Sequence, residues 1–216
     1  MKKFAVILSG CGVYDGAEIQ EAILTLLAIA KSGSEYKIFA PDIDQHHVIN
    51  HITGEEMNEN RNVLIESARI ARGKIQPLHN FKAEDFDALI FPGGFGVAKN
   101  LSNLAFSGSD CSINADVVNA VNSMVTLKKP IGALCIAPAV ISGIIKGAKV
   151  TIGNEQATIN EIEKMGGEHK KTTHREIIID EKYKLFTAPC YMLNASILDI
   201  EIETEKVVNA ILDSLK

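Results

Sequence analysis

Residues 130–140 read Pro-Ile-Gly-Ala-Leu-Cys-Ile-Ala-Pro-Ala-Val, and this stretch decides the fold. A short apolar run typical of a buried strand stops at Cys135, and small apolar residues suited to a helix follow at once. A reactive side chain between the end of a strand and the first N–H groups of a helix forms a nucleophile elbow. The stretch therefore predicts an α/β fold with Cys135 at the carboxyl end of a central strand.

The Cys135 thiol has two interpretations. In a nucleophile elbow the helix dipole favours the thiolate, which lowers the pKa of a free cysteine from about 8.5 towards 7 or below. The thiolate is the form that attacks carbonyl carbons. Free cysteine is also among the most buried residue types, so an inert packing thiol is the alternative.

Short apolar runs alternate with longer amphipathic segments along the chain, which is typical of an α/β fold with a mostly parallel sheet. Strands are predicted at 4–9, 36–40, 86–92 and 131–134, with weaker candidates at 149–152, 177–180 and 184–187. Helices are predicted at 19–30, 61–72, 115–127, 138–145, 159–165 and 203–215. No repeat or Pro/Gly-rich linker divides these elements, so we expect a single three-layer domain.

The composition limits the class of function. The chain has 216 residues, of which 46% are hydrophobic and 23% charged, as in an ordinary globular protein. A net charge of −5 without a basic cluster argues against a nucleic-acid partner, and the apolar runs are too short to span a membrane. Four widely spaced cysteines without a CxxC pair argue against a zinc site or a disulfide scaffold. We expect a cytoplasmic protein, because the first predicted strand leaves no room for a targeting peptide.

Two candidate site residues, a glutamate and a cysteine, follow the first strand. The turn at residues 10–16 is rich in glycine, but it departs from the dinucleotide fingerprint because Asp15 stands where glycine or alanine is required. Glu18 lies in the first turn of the next helix, at the rim of its buried stripe, and is the candidate acid or base. A simple charge at a helix start, which the dipole favours, is the alternative. Cys11 lies at the same strand end and is a candidate substrate-contacting thiol.

A second glycine-rich turn, Phe-Pro-Gly-Gly-Phe-Gly at residues 91–96, ends another strand. Paired glycines let backbone N–H groups approach a bound oxygen closely. With the N–H of Ile136, the turn at Gly93 and Gly94 predicts an oxyanion hole for a carbonyl under attack by Cys135. A tight loop with no role in chemistry is the alternative.

The histidines at His46, His47 and His51 include a pair at helical spacing, but the glutamate of a metalloprotease helix is absent between them. We therefore expect a role in loop packing and no metal site. No cofactor motif is present either, so we expect catalysis by side chains alone.

Five segments together resemble the ElbB family, the glyoxalase-like branch of the class I glutamine amidotransferase-like superfamily. These segments are residues 7–16, 49–55, 61–66, 92–96 and 135–139. The resemblance extends to PfpI-type proteins and the parkinsonism-associated deglycase. It implies a flavodoxin-like α/β/α sandwich over residues 1–216, a homodimer, and a lyase of the hydro-lyase type that converts glyoxal to glycolate without glutathione.

The resemblance also implies roles for individual residues. By position, Cys135 matches the nucleophile, Glu18 matches the glutamate that contacts it, and Gly93 and Gly94 match the oxyanion turn. Where the deglycase branch has a histidine roughly twenty residues after the cysteine, residues 151–154 read Thr-Ile-Gly-Asn. Two alternatives to a glyoxalase or deglycase stay open: a glutaminase that uses His174, and a redox-sensing or chaperone-like module in which Cys135 is oxidised.

Overall fold

The computed structural model describes residues 1–216, which form eleven strands and eight α-helices. The strands are β1 (Lys3–Ile7), β2 (Glu35–Ala40), β3 (Val48–Ile49), β4 (Glu56–Met57), β5 (Ile75–Pro77), β6 (Ala88–Phe91), β7 (Ile131–Leu134), β8 (Lys149–Val150), β9 (Glu168–His169), β10 (Ile178–Asp180) and β11 (Leu185–Ala188). The helices are α1 (Ile19–Lys31), α2 (Val63–Ile70), α3 (Phe95–Lys99), α4 (Leu104–Ser107), α5 (Ala115–Thr126), α6 (Ala137–Ile144), α7 (Gln156–Lys164) and α8 (Ile197–Asp213).

Seven strands form one central sheet in the order β10-β11-β7-β6-β1-β2-β5. All neighbouring pairs are parallel except β10 with β11, so the sheet is mostly parallel with one antiparallel edge strand. Helices α1, α2 and α8 contribute to the hydrophobic core on one face, and α5, α6 and α7 contribute to the core on the other. The predicted three-layer α/β/α fold with a mostly parallel sheet is confirmed.

The central strands are apolar because both of their faces are covered. All four residues of β6, β7 and β11 are buried. The register pairs Leu134 of β7 with Ala188 of β11, and Phe91 of β6 with Ala133 of β7. The carboxyl ends of β1, β6, β7 and β11 therefore meet at one edge of the sheet, where α/β proteins commonly build their sites.

Several elements differ from the sequence prediction. Strand β8 pairs with β9 in a separate two-stranded ladder instead of joining the central sheet. Strand β5 was not predicted, because its three residues include a glutamine and a proline and leave no apolar run to recognise. Helix α8 begins at Ile197 and not at residue 203, because Ser196 and Asp199 form a capping box that starts it one and a half turns earlier.

No helix combines the length and the apolar character needed to cross a membrane. Two connections hold small elements of their own. A hairpin of β3 and β4 lies between β2 and α2, and helices α3 and α4 lie between β6 and α5.

Candidate active site

Cys135 occupies the predicted elbow between β7 and α6. Its φ of 59° is in the left-handed region, which is uncommon for a residue other than glycine and costs about 1–2 kcal/mol. The backbone N–H of Cys135 donates to the carbonyl of Ala188 at 2.9 Å, which ties the elbow to the end of β11. The residue is 7% exposed, so Cys135 is almost completely enclosed by the fold.

The carboxyl group beside Cys135 belongs to Glu21 of α1, which is fully buried. Its Oε2 accepts the backbone N–H of Gly93 at 2.9 Å, and its Oε1 accepts the backbone N–H of Tyr191 at 3.2 Å. The Cys135 thiol lies within hydrogen-bonding reach of the same carboxyl. Glu21 therefore connects the ends of β6, β7 and β11, and it is the acid or base that the geometry offers to Cys135.

Glu18, which the sequence predicted in this role, is instead the N-cap of α1. Its Oε2 accepts the backbone N–H of Glu21 at 2.7 Å, which satisfies a free donor at the helix end. The helix begins at Ile19, so Glu18 precedes its first turn and caps it. Glu21 lies within the helix, on the face that is buried against the sheet. A signal was available in the sequence, because Glu21 falls within the buried stripe that continues through Thr25 and Ala28.

The two backbone N–H groups of the glycine turn after β6 have different partners. The N–H groups of Gly94 and Ile136 face the Cys135 sulfur, as predicted for oxyanion donors. The N–H of Gly93 is bound by Glu21, so the prediction of Gly93 as an oxyanion donor is corrected. Glycine is required at position 93 for a further reason. A Cβ there would overlap Cys135 Cβ and lie 2.9 Å from its sulfur.

Burial controls the protonation of the pair. Desolvation, followed by the negative charge of Glu18, raises the pKa of Glu21 to about 8. Desolvation, followed by the charge of Glu21, raises the pKa of Cys135 well above its usual value. The N–H groups of Gly94 and Ile136 act in the opposite direction, but they do not outweigh burial. The sequence predicted a lowered thiol pKa, whereas burial raises the pKa of both groups.

Sequence reasoning missed two residues at this edge of the sheet. Cys190 follows β11, is fully buried, and has a left-handed φ of 44°. Its backbone N–H donates to Oε2 of Glu203 at 2.7 Å, and Glu203 of α8 is also fully buried. No local pattern around Cys190 singles it out in the sequence. Only the strand order, which places β11 next to β7, brings it to the site.

Cys11 lies at the end of β1, as predicted, but in a different electrostatic environment. Burial raises the pKa of its thiol, and the charged groups that act on it are Glu66, Arg69, Asp15 and Arg61. No side-chain hydrogen bond joins Cys11 to Cys135 or to Glu21. The structure therefore does not bring Cys11 into the Cys135 and Glu21 pair. Cys111 lies elsewhere, with its sulfur 3.9 Å from that of Met165.

The histidines make contacts outside the pair. His47 Nε2 lies 2.9 Å from Lys99 Nζ, and His51 Nε2 accepts the backbone N–H of Tyr14 at 3.2 Å. His174 Nε2 lies 3.0 Å from the carbonyl oxygen of Asn194. No group of three or more His, Cys, Asp and Glu side chains has a geometry that could hold a metal ion. The histidine of a Cys-His-acid triad is therefore absent from the hydrogen bonds of Cys135.

The family model of DJ-1/PfpI proteins matches residues 12–190, a span that contains Glu21, Gly94 and Cys135. The chain belongs to the DJ-1/PfpI family. Residues 191–216, which include Glu203, lie outside the matched span. The sequence resemblance pointed to the same superfamily.

Two DJ-1/PfpI relatives align with most of the chain. A rat (Rattus norvegicus) ES1 protein homolog is 43% identical over 221 residues, which cover 98% of the chain and 83% of that relative. A human (Homo sapiens) glutamine amidotransferase-like class 1 domain-containing protein 3 is 44% identical, covering 90% of the chain and 76% of the relative. Both are named as mitochondrial proteins. The prediction of a cytoplasmic protein is therefore contradicted.

Solved structures show the same DJ-1/PfpI fold. An isoprenoid biosynthesis protein with an amidotransferase-like domain from Ehrlichia chaffeensis superposes over the full length of both chains, with a TM-score of 0.94 and 39% identity. A glyoxalase III from Candida albicans superposes with a TM-score of 0.63 over 97% of both chains, at 14% identity. At this low identity the second likeness is one of fold alone.

Proposed function

We propose that this protein is a glutathione-independent glyoxalase of the ElbB branch that converts glyoxal to glycolate. The observation that carries the proposal is a fully buried carboxyl, Glu21, next to an elbow thiol, Cys135, that faces two backbone N–H donors. A thiol, a proton carrier and an oxyanion hole are the groups that such an isomerisation requires. The presence of a glyoxalase III among proteins of the same fold is consistent with this function.

The first step is addition of the thiol to one aldehyde. As the Cys135 sulfur bonds to the carbonyl carbon, the Glu21 carboxylate takes the thiol proton. The carbonyl oxygen becomes an oxyanion, which the N–H groups of Gly94 and Ile136 are placed to stabilise. Return of a proton to this oxygen gives a hemithioacetal and restores the Glu21 carboxylate.

The second step moves hydrogen within the substrate. Glu21 removes the C–H proton from the carbon that bears the sulfur, and the electron pair passes to the second carbonyl to form an enediolate. Glu21 then gives this proton to the far carbon, and the hydroxyl proton of the sulfur-bearing carbon passes to the far oxygen, which gives a thioester of glycolate. One carbon is oxidised and its neighbour is reduced, so no external oxidant or reductant is consumed.

The third step is hydrolysis. Water adds to the thioester carbonyl, the bond between carbon and the Cys135 sulfur breaks, and glycolate leaves as the sulfur regains its proton. The sum is one glyoxal and one water giving one glycolic acid.

The limited exposure of Cys135 favours small aldehydes over the side chains of a folded protein substrate. A glutaminase is less well supported, because no histidine shares a hydrogen bond with Cys135 or Glu21.

The proposal is tested by measuring glycolate formed from glyoxal, without glutathione, by the wild type and by Cys135→Ser, Glu21→Gln and Glu18→Gln. We expect Cys135→Ser and Glu21→Gln each to lower kcat/KM by about 100-fold or more. Glu18→Gln is the matched control in the same helix, and it retains most of the activity. A wild type that forms no glycolate contradicts the proposal, and rapid oxidation of its Cys135 by peroxide would favour the redox module.

The homodimer and the single domain over residues 1–216, which the resemblance implies, remain predictions.

A further inference from the structure

Glu203 is a fully buried carboxyl that the reaction above does not use. Its Oε2 accepts the backbone N–H of Cys190 at 2.7 Å, and its Oε1 accepts the backbone N–H of Arg175 at 2.8 Å. No lysine, arginine or histidine forms an ion pair with it. Burying a carboxyl group costs free energy unless its oxygens accept hydrogen bonds. Here both oxygens are used to hold backbone N–H groups, one of them in the turn that follows β11.

That turn lies between two buried carboxyls. Cys190 has a left-handed φ, a conformation that is strained for any residue with a Cβ. Its N–H points to Glu203, and the next N–H along the chain, that of Tyr191, points to Glu21 at 3.2 Å. Successive backbone donors thus bind one carboxyl on α8 and one on α1. Glu203 supplies the contact that keeps Cys190 in this conformation.

The orientation of Glu21 depends on the same turn. Glu21 Oε1 is held by the Tyr191 N–H, and Oε2 is held by the Gly93 N–H beside the Cys135 thiol. If the turn relaxed, Oε1 would lose its donor, and the carboxyl would be free to rotate away from the sulfur. Glu203 is therefore connected to the reacting atoms through three residues in turn: Cys190, Tyr191 and Glu21.

We propose that Glu203 is a positioning residue, which holds the turn at Cys190 and Tyr191 and thereby orients Glu21 against Cys135. This inference rests on the proposed function for its effect on turnover, but its effect on thiol reactivity does not require turnover. Loss of the Tyr191 donor removes a contact that favours the Glu21 carboxylate, so the pKa of Glu21 would rise further. The titratable groups that face Glu21 are Glu18 on α1, Cys135 after β7, and Cys190 and Tyr191 after β11.

The test is the pH dependence of Cys135 alkylation by iodoacetamide, measured by mass spectrometry of the peptide that contains Cys135. The Glu21 carboxylate raises the pKa of Cys135, so a carboxyl that is displaced or stays neutral makes the thiolate easier to form. We therefore expect Glu203→Gln to move the midpoint of this profile downwards by about half a pH unit or more, and to speed alkylation at about pH 8 several-fold. The control is Asp180→Asn, because Asp180 is also buried and accepts two backbone N–H groups, from Lys149 and Tyr183. It leaves the midpoint unchanged, although both variants lower the unfolding temperature.

Kinetics with glyoxal provide a second readout. Because Glu203 does not line the site, Glu203→Gln is expected to lower kcat and to leave KM near the wild-type value. An alkylation profile that matches the wild type, together with a loss of stability like that of Asp180→Asn, would overturn the positioning role. A wild type without turnover overturns the proposed function instead, so the two failures are distinguishable.

A double variant covers the case in which Glu203→Gln does not fold. Glycine adopts a left-handed φ without strain, so Cys190→Gly reduces the need for Glu203 to hold the turn. In Cys190→Gly/Glu203→Gln we expect the alkylation midpoint to lie close to that of Cys190→Gly alone, within about 0.2 pH units. A midpoint that differs from that of Cys190→Gly by about half a pH unit or more would overturn the proposal, because Glu203 would then act by a route other than the strained turn.

Discussion

Tyr191 and Glu21 lie 170 positions apart in the chain, and the Tyr191 N–H donates to Glu21 Oε1 at 3.2 Å. This hydrogen bond joins the first helix to the turn after the last strand. It aligns a carboxyl with Cys135, which comes from a third part of the sequence. The site is therefore assembled by strand order, and its chemistry depends on contacts that no local segment contains.

Activity should rise with pH. The carboxylate form of Glu21 takes the thiol proton, and the pKa of Glu21 is raised to about 8. We expect kcat/KM for glyoxal to increase as the pH rises through about 8, as the fraction of carboxylate grows. A pH profile measured under substrate-limited conditions checks this. An activity that is already constant from about pH 6 upwards would contradict it.

Glu18→Gln should move this profile in a known direction. The charge of Glu18 is the second cause, after desolvation, of the raised pKa of Glu21. Removing that charge lowers the pKa of Glu21, so the midpoint of the kcat/KM profile shifts to lower pH. Activity at about pH 7 is then retained or increased. A shift to higher pH, or a complete loss of activity, would show that Glu18 acts in another way.

Glu21 should also make folding stability depend on pH. Unfolded Glu21 titrates near 4.5, whereas folded Glu21 titrates near 8. The stability linked to Glu21 is fully present below the unfolded pKa, and it is lost as the pH rises through the folded pKa. The loss is of order 5 kcal/mol. Urea unfolding at several pH values should show this decline in the wild type and a much shallower one in Glu21→Gln. Equal slopes in the two proteins would contradict the assignment.

Gly93→Ala should disrupt the site more than the fold. The new Cβ would overlap Cys135 Cβ and lie 2.7 Å from Glu21 Oε2, and neither neighbour can move without breaking the pair. We expect loss of measurable turnover and a destabilisation of about 1–3 kcal/mol. Gly33→Ala is the control: Gly33 has a φ of 74° with open space around it, so alanine there strains only the backbone. It should cost about 1 kcal/mol and keep full activity.

Ser196→Ala should weaken the start of α8, the helix that carries Glu203. The Ser196 side chain accepts the Asp199 N–H, and the Asp199 carboxylate accepts the Ser196 N–H. Removing one half of this capping box is expected to cost about 1 kcal/mol of unfolding free energy. Thermal unfolding would reveal it. An unchanged unfolding temperature would show that packing alone holds the helix start.

The fold class and the nucleophile were predictable because their signals are local. An apolar run, a break at Cys135 and a helix-compatible segment lie within eleven consecutive residues, and their geometry follows from backbone preferences alone. The helical period of α1 was equally visible. The predicted start at residue 19 also matches the structure, but the carboxyl that faces the elbow was assigned to Glu18 instead of Glu21, three residues further on.

The sequence by itself therefore determined the α/β architecture, the elbow at Cys135 and the two N–H donors at Gly94 and Ile136. Only the tertiary structure decided the partners of the thiol. The placement of β11 beside β7 brings Cys190 and Glu203 to the site. The burial of Glu21 raises its pKa above that of an exposed carboxyl group. Strand order and desolvation depend on how distant segments pack, and neither is encoded in any short stretch of residues.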